Sequence, residues 1–486
     1  MAKKVAIVGA GVGGLATAAR LACRGYQVEV YEKLPRCGGR ANIIEDKGFK
    51  FDTGPSFVLM PDFFHEVFDY CGRNLEDYLD LRALDIGYRI FYADGRRLTV
   101  YHDKEKTKAE LEKIEAGSAR AYERFLSETG KIYGQVRNLL YSCFRSKDAL
   151  NPSYWPLLFK IHPFASYWQF AGKFFRTPEL RYAFTFEAMF IGVSPFHAPA
   201  LYSIITYVDH VQKVFHPMGG MYRIPLALER LACESGARFF YDSEVAALGS
   251  RQGRVYLTAK GEELNADAAV INADYSYARS LLLDMPIPRF QYSCSVFLLY
   301  LGLKKKIQGL AHHNLFFARD LQLNLRNIFE DKLFPKEPSF YVHVPTVTDP
   351  SLAPEGKDLV YVLIPVPNLD RCRQDISGHA ERLRSTVFEI VKRQTGVDIE
   401  SIIEVEHRFY PSDFLDRYNV KYGATFGLAH TLMQSAFFRP ANHDPRLGNI
   451  YFTGASTQPG GGLPPVIASS RIVADLITGG NGRSTA

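Results

Sequence analysis

A chain of 486 residues with 47% hydrophobic and 23% charged side chains is long enough for about two to four domains, and its composition excludes a disordered, collagenous or coiled-coil protein. Its 58 Lys and Arg against 52 Asp and Glu leave a net charge of +6, too weak over this length for the footprint of a nucleic-acid binder. Seven scattered cysteines, with no C-x-x-C pair and no zinc-spaced His/Cys set, suit a reducing cytoplasm and give no reason to expect a metal site.

Residues 5–8 (Val-Ala-Ile-Val) predict a short buried strand, 13–24 a helix with Leu15, Ala18, Ala19 and Ala22 on one side, and 27–31 a second strand. The first residues run into this strand without an apolar signal core, so Met1 is expected to be the native N-terminus. Between strand and helix, Gly9-Ala-Gly11-Val-Gly13-Gly14 fits G-x-G-x-x-G, and Glu32 ends the second strand eighteen residues later. Gly9 allows the tight turn, Gly11 lets backbone approach a pyrophosphate, and Gly14 lets the helix sit close to the sheet. The helix N-terminus attracts phosphate charge, and Glu32 suits a ribose. A dinucleotide site is expected. Lys33-Leu-Pro-Arg-Cys-Gly38-Gly39-Arg40 replaces the usual nicotinamide-dehydrogenase loop with a second glycine pair and an Arg able to neutralise another phosphate, which favours a flavin. After the strand-like Phe49–Phe51, the turn at Gly54-Pro55 suits backbone placed beneath a flat ring.

Residues 151–190 hold thirteen aromatics and both tryptophans, interleaved with Lys160, Lys173 and Arg176. This pattern fits a segment at a lipid surface, or a buried helical subdomain rich in aromatics; both readings stay open. No apolar stretch reaches the ~18–20 residues of a bilayer span, the longest lying near 294–303 and 359–367, so membrane contact is expected to be peripheral.

From Pro217 the α/β pattern returns, with a Gly219-Gly220 turn that repeats the phosphate-approach logic, a helix at 226–235, and strands ending near Val245 and at 254–259 and 268–272. Val245 is placed to offer backbone to an adenine. Residues 294–303, 339–344 and 359–366 predict strands of a second, antiparallel sheet. The pair His312-His313 between the first two reads as structural imidazoles, because no acidic residue stands nearby at ligand spacing. The chain closes with a strand from Asn449, a loop containing Gly454, Ala455 and Gly460-Gly-Gly462-Leu463, and a helix at 465–477 opened by proline. Consecutive glycines at a helix N-terminus favour something negative or polarisable, as a reduced flavin is. Residues 479–486 read as a disordered tail.

These motifs occur in order with FDTGPSFVLMP, RYAFTFEAMFIGVSPF, INAD, LAHHN, VTDPSLAPEG, IPVPNL, QSAFFRPANHD and NIYFTGAST. Over nearly all of its length the chain resembles the bacterial and fungal type of phytoene desaturase, in the carotenoid desaturase/isomerase group of FAD-dependent, amine-oxidase-like proteins. The resemblance implies an α/β fold: a Rossmann-like FAD-binding domain, a mixed or antiparallel-sheet substrate domain, and a helical, membrane-associating region. FAD-binding parts are expected at 1–80, 216–285 and 431–478, the helical region at 81–215 and the substrate domain at 286–430, followed by the tail at 479–486. Carried over motif by motif, Gly9, Gly11, Gly14, Glu32, Gly39, Arg40, Gly54, Val245, Gly454, Ala455, Gly462 and Leu463 contact FAD. The implied activity is repeated desaturation of a linear carotenoid, phytoene first, by hydride transfer from an allylic C–H to the flavin.

Implied partners are a lipid-dissolved carotenoid, a membrane surface met peripherally from the cytoplasm, and a quinone or oxygen as final electron acceptor. The chain departs from the family at Gly220-Met221 and at the close Thr457-Gln458-Pro-Gly-Gly-Gly-Leu-Pro-Pro. A carotenoid 3,4-desaturase, a diapophytoene desaturase and a carotenoid isomerase therefore stay open, with a flavin amine or porphyrinogen oxidase as the distant alternative. No catalytic side chain is assigned. An allylic cation formed along the polyene needs only a weak base or water, and His312, His313 and Asp209 are acid/base candidates read first as structural.

Overall fold

The computed structural model describes residues 3–155, 162 and 164–479. The strands Lys4–Val8, Gln27–Tyr31, Arg238–Phe240, Ala268–Ile271 and Ile450–Phe452 form one parallel sheet, ordered 450–452, 268–271, 4–8, 27–31, 238–240. Parallel strands covered on both faces are apolar throughout, which is why Val5-Ala-Ile-Val8 and Ala268–Ile271 are buried along their length. On one face lies the helix Val12–Ala22, held between Arg223–Glu234 and Leu463–Thr478. Every residue of Val12–Ala22 is buried, and its glycines and alanines let three helices and the sheet approach closely. An antiparallel meander, Val245–Arg251, Arg254–Ala259 and Glu262–Ala266, covers the other face through Leu248, Val255 and Leu257.

A second sheet of seven strands runs 403–409, 295–303, 358–366, 340–343, 313–316, 86–91, 97–101. It is mixed: 313–316 pairs with 86–91 in parallel and the other neighbours are antiparallel. The helix Ile376–Thr395 packs on one face through Leu383, Val387 and Val391, in one cluster with Phe297, Val360 and Val362 of the sheet. Val296, Leu298 and Tyr300 point the opposite way, into an aromatic layer shared with the helix Ser118–Val136 and residues 167–198.

Three sequence expectations shift. Val245 opens a strand rather than ending one, because its predecessor stops at Phe240 and Asp242 (φ 49°) turns the chain. The last helix begins at Leu463, where Gly462 (φ 106°) breaks the preceding loop and Pro464 fits the first turn. In the aromatic segment, Tyr167, Phe170, Phe175 and Phe184 are core, whereas Trp155 is 51% and Phe164 91% exposed. Phe159 and Lys160 of that segment, and tail residues 480–486, lie outside the described residues. Among the described residues, no helix is long and apolar enough to cross a membrane.

Candidate cofactor and substrate site

One cavity of ≈ 580 Å³ runs from the glycine loops of the parallel sheet to the aromatic layer under the mixed sheet. Eleven of the twelve predicted cofactor residues line it: Gly9, Gly11, Glu32, Gly39, Arg40, Gly54, Val245, Gly454, Ala455, Gly462 and Leu463. Gly14 does not. A Cβ there would stand 2.1 Å from the Gly9 carbonyl, so this glycine is needed where the helix meets the turn.

The first and last glycine loops meet. A Cβ on Gly13 would fall 3.3 Å from the Gly454 Cα and 2.7 Å from Asn272 Oδ1. Asn272 sits between them and donates its amide to the Gly9 carbonyl at 3.3 Å. Two helix N-termini, at Val12 and Leu463, therefore open on one space lined by glycine backbone, and partial positive charge gathers there. Glu32 accepts the N–H of Ala10 at 2.7 Å and of Leu34 at 2.9 Å. Burial pushes its carboxyl above the ordinary range although these N–H groups pull it down. A carboxylate on a strand end, converging N–H groups and a backbone without Cβ atoms fit the ribose and pyrophosphate of a dinucleotide.

Arg40 reaches the cavity wall with one nitrogen already donated to the Thr425 carbonyl at 2.7 Å. Burial pulls its guanidinium below the ordinary range, and the nearby Asp274 opposes this. Gly54 approaches the same arginine's backbone, where a Cβ would lie 2.1 Å from the Arg40 carbonyl. Gly219-Gly220 belongs elsewhere. The Gly219 N–H is held by Asp349 at 2.5 Å, the Met221 and Tyr222 N–H groups by Asp52 at 2.7 and 2.9 Å, and neither glycine lines the cavity.

The last glycine loop has supports that the sequence did not single out. His430 accepts the Gly461 N–H at Nε2 (3.0 Å), and its Nδ1 faces the Ile191 carbonyl at 3.2 Å, which fixes the neutral tautomer. Burial, with Arg439 close by, holds this imidazole well below its ordinary pKa. Arg439 donates to the carbonyls of Ala455 (2.6 Å), Thr457 (3.1 Å) and Gln434 (3.2 Å). Neither residue has a local spacing that links it to the glycine loop near the end of the chain.

Beyond the loops the wall is a run of rings: Phe57 against Phe190 (4.7 Å between centroids) and Tyr341 (5.7 Å), and Phe186 against Phe190 (5.5 Å) and Phe317 (6.2 Å). Leu315 and Leu363 complete it. None of His312, His313 and Asp209 lines the cavity. Asp209 is buried behind the wall near Glu187 and makes no hydrogen bond; burial pushes its carboxyl up to about 8. The geometry therefore offers an apolar slot meeting a dinucleotide cradle, and the three acid/base candidates named from the sequence stand outside it.

Comparison with known proteins agrees with this arrangement. The family model "Flavin containing amine oxidoreductase" matches residues 12–478. A Myxococcus xanthus protein, a zeta-carotene-forming phytoene desaturase, is 40% identical over 98% of this chain and 94% of its own. A Methylomonas sp. protein, a 4,4'-diapophytoene desaturase forming 4,4'-diapolycopene, is 36% identical over 98% and 95%. Among solved structures, putrescine oxidase bound to putrescine superposes with a TM-score of 0.64 at 17% identity, covering 99% of both chains.

Proposed function

Because the chain belongs to the flavin containing amine oxidoreductase family, we propose that it is an FAD-dependent desaturase that introduces double bonds into a linear carotenoid, with phytoene as first substrate and the thirty-carbon diapophytoene as the alternative. The relatives' substrates support this reading, and one observation carries it: the cradle of glycine backbone opens directly into a slot walled by Phe57, Phe186, Phe190, Phe317 and Tyr341. An amine substrate calls for polar partners; a polyene calls for apolar walls.

Gly9, Gly11, Glu32, Gly39 and Arg40 are assigned to the ribose and phosphates of FAD, Val245 to its adenine, and Gly54, Gly454, Ala455, Gly462 and Leu463 to its ring. Gly14 acts from beneath the turn. When bound, the flavin supplies a two-electron acceptor for a carbon-bound hydrogen. The protein's share is placement, since an unactivated allylic C–H presents no heteroatom for a side chain to deprotonate first. The aromatic wall keeps water out and offers ring faces to positive charge developing along the polyene. The neutral His430 holds the Gly460–Gly462 loop without adding a charge. Electrons leave to a quinone or oxygen.

A surface patch supports delivery from a membrane. Residues 146–150 and 436–438 pack together, with Tyr154 on Phe437 at 5.3 Å, leaving Leu150, Trp155, Met433 and Phe438 exposed beside the basic Arg145 and Lys147. Tyr202, on the cavity wall, bonds the buried Ser435 beneath this patch at 2.7 Å. A patch of Trp, aliphatic and basic side chains suits an anionic lipid surface. The proposal is tested by anaerobic mixing of flavin-loaded protein with phytoene in liposomes. Bleaching of the flavin band supports it; a band that persists with carotenoids but bleaches with a primary amine contradicts it.

A further inference from the structure

Behind Phe57, four imidazoles from distant segments form one buried cluster. His312 and His313 enter the strand 313–316, His343 ends the neighbouring strand 340–343, and His216 lies on the strand 215–217. Ring centroids are 4.5 Å apart for His312–His313, 4.7 Å for His312–His343, 5.1 Å for His313–His343 and 4.8 Å for His216–His312. All four are almost wholly inaccessible.

Their hydrogen bonds leave an unusual remainder. Nδ1 of His312 is bonded to the Thr348 hydroxyl at 2.7 Å, and Nδ1 of His313 to the Tyr341 hydroxyl at 2.6 Å. Nε2 of His312 lies 2.9 Å from Nε2 of His343. Nε2 of His313 and both nitrogens of His216 have no hydrogen bond. His216 Nε2 is 3.6 Å from Asp349 Oδ2, beyond hydrogen-bond length. Buried polar nitrogens without partners are costly, and protein interiors rarely keep them.

His312 and His313 each hold Nδ1 on a hydroxyl and leave Nε2 toward the neighbouring imidazoles, and a bonded outer nitrogen is how metal-binding histidines are oriented. We propose that His312, His313 and His343 bind one divalent transition-metal ion, zinc in the first place, with His216 as the fourth imidazole. An all-nitrogen donor set favours zinc, cobalt, nickel or copper over magnesium or calcium. The three ligand nitrogens lie within 4.8 Å of one another. Tetrahedral coordination at Zn–N ≈ 2.0–2.1 Å separates ligand nitrogens by about 3.3 Å, so ring rotations that open the 2.9 Å contact by about 0.4 Å and close the wider ones complete the site. Spacing along the chain predicted no metal site, because the remaining ligands come from other strands.

The ion's role is structural. None of the four histidines lines the cavity, and His313 stacks on Phe57, which does, at 3.9 Å. The ion ties three strands together behind the substrate wall, and it enters during folding. The test uses the flavoprotein without a histidine tag, produced with and without added zinc, with metal measured by mass spectrometry against flavin. One zinc per flavin in the wild type is expected, lost in His313→Gln and His343→Gln and kept in His443→Gln, at a half-buried position stacked on Tyr451 and outside the cluster. Flavin-loaded wild type that carries no metal after zinc supplementation overturns the proposal, as does metal that persists in flavin-loaded His313→Gln. Where the variants do not fold, zinc X-ray absorption on the wild type decides: an imidazole-nitrogen shell supports the site, and a sulfur or carboxylate shell overturns it.

Discussion

The side-chain amide of Asn272 donates to the Gly9 carbonyl at 3.3 Å, while its Oδ1 stands 2.7 Å from where a Cβ on Gly454 would fall. One short polar side chain thus sets the spacing of the two glycine loops that open on the cavity. Asn272→Ala removes the donor and the spacer, at a cost of about 1–2 kcal/mol, roughly a tenfold weakening of flavin retention. The ratio of flavin to protein absorbance after dialysis, and the rate of flavin release, measure this; unchanged retention contradicts it.

Two glycines inside helices separate close packing from mere composition. At Gly14 a Cβ meets the Gly9 carbonyl at 2.1 Å, and at the exposed Gly134 nothing stands within 4 Å. Gly14→Ala is expected to abolish flavin binding and lower the melting temperature. Gly134→Ala, in the helix Ser118–Val136, is expected to stabilise by about 0.5–1 kcal/mol through backbone entropy and to leave flavin content unchanged.

The first of these sites was legible in the sequence, and the reason is range. Gly9, Gly11, Gly14 and Glu32 lie within one strand–helix–strand unit, so their spacing alone predicts the cradle. Asn272, His430 and Arg439 act across the fold, on Gly9, Gly461 and Ala455; Asn272 and Arg439 fall within the motifs INAD and QSAFFRPANHD, yet no spacing along the chain tells which distant loop each of the three supports. The parallel sheet followed from apolar runs, while the order of its strands depended on segments far apart in the chain. Aromatic content at 151–190 was plain, yet composition cannot say which rings turn inward: Phe170 and Phe175 do, Trp155 and Phe164 do not.

A pH dependence of stability follows from Asp209. Burial pushes its carboxyl up to about 8, above an unfolded value near 3.9. The groups around it are Glu187, held well above its ordinary range by burial and by Asp209, and His210 and His102, pulled by burial to about 3 and about 4. The folded state then keeps a proton that the unfolded state has lost, so the contribution of Asp209 to stability falls as pH rises from about 4 to 8 and levels off above, by up to several kcal/mol, while His210 and His102, protonated only in the unfolded state between about pH 4 and 6.5, oppose it there. Asp209→Asn is expected to flatten this slope. Urea midpoints at pH 5, 7 and 9 provide the measurement, and equal slopes in wild type and variant contradict the assignment.

The proposed membrane delivery rests on exposed side chains that the core does not need. Trp155→Ser with Met433→Ser removes two of them, 51% and 66% exposed. Binding to anionic liposomes is expected to fall by an order of magnitude or more, at about 25 cal/mol per Å² of apolar surface no longer buried in lipid. Flavin content and melting temperature are expected to stay constant, and cosedimentation equal to the wild type contradicts the patch.

The proposed function requires the cradle and the aromatic slot to serve one reaction on a polyene. Flavin-loaded protein incubated with phytoene and, in parallel, with diapophytoene in liposomes, with a quinone present and the extracts separated by chromatography with diode-array detection, tests this most directly. The predicted result is a series of polyenes absorbing at successively longer wavelengths. Phytoene and diapophytoene both recovered unchanged, from protein whose flavin is still reducible, would contradict it.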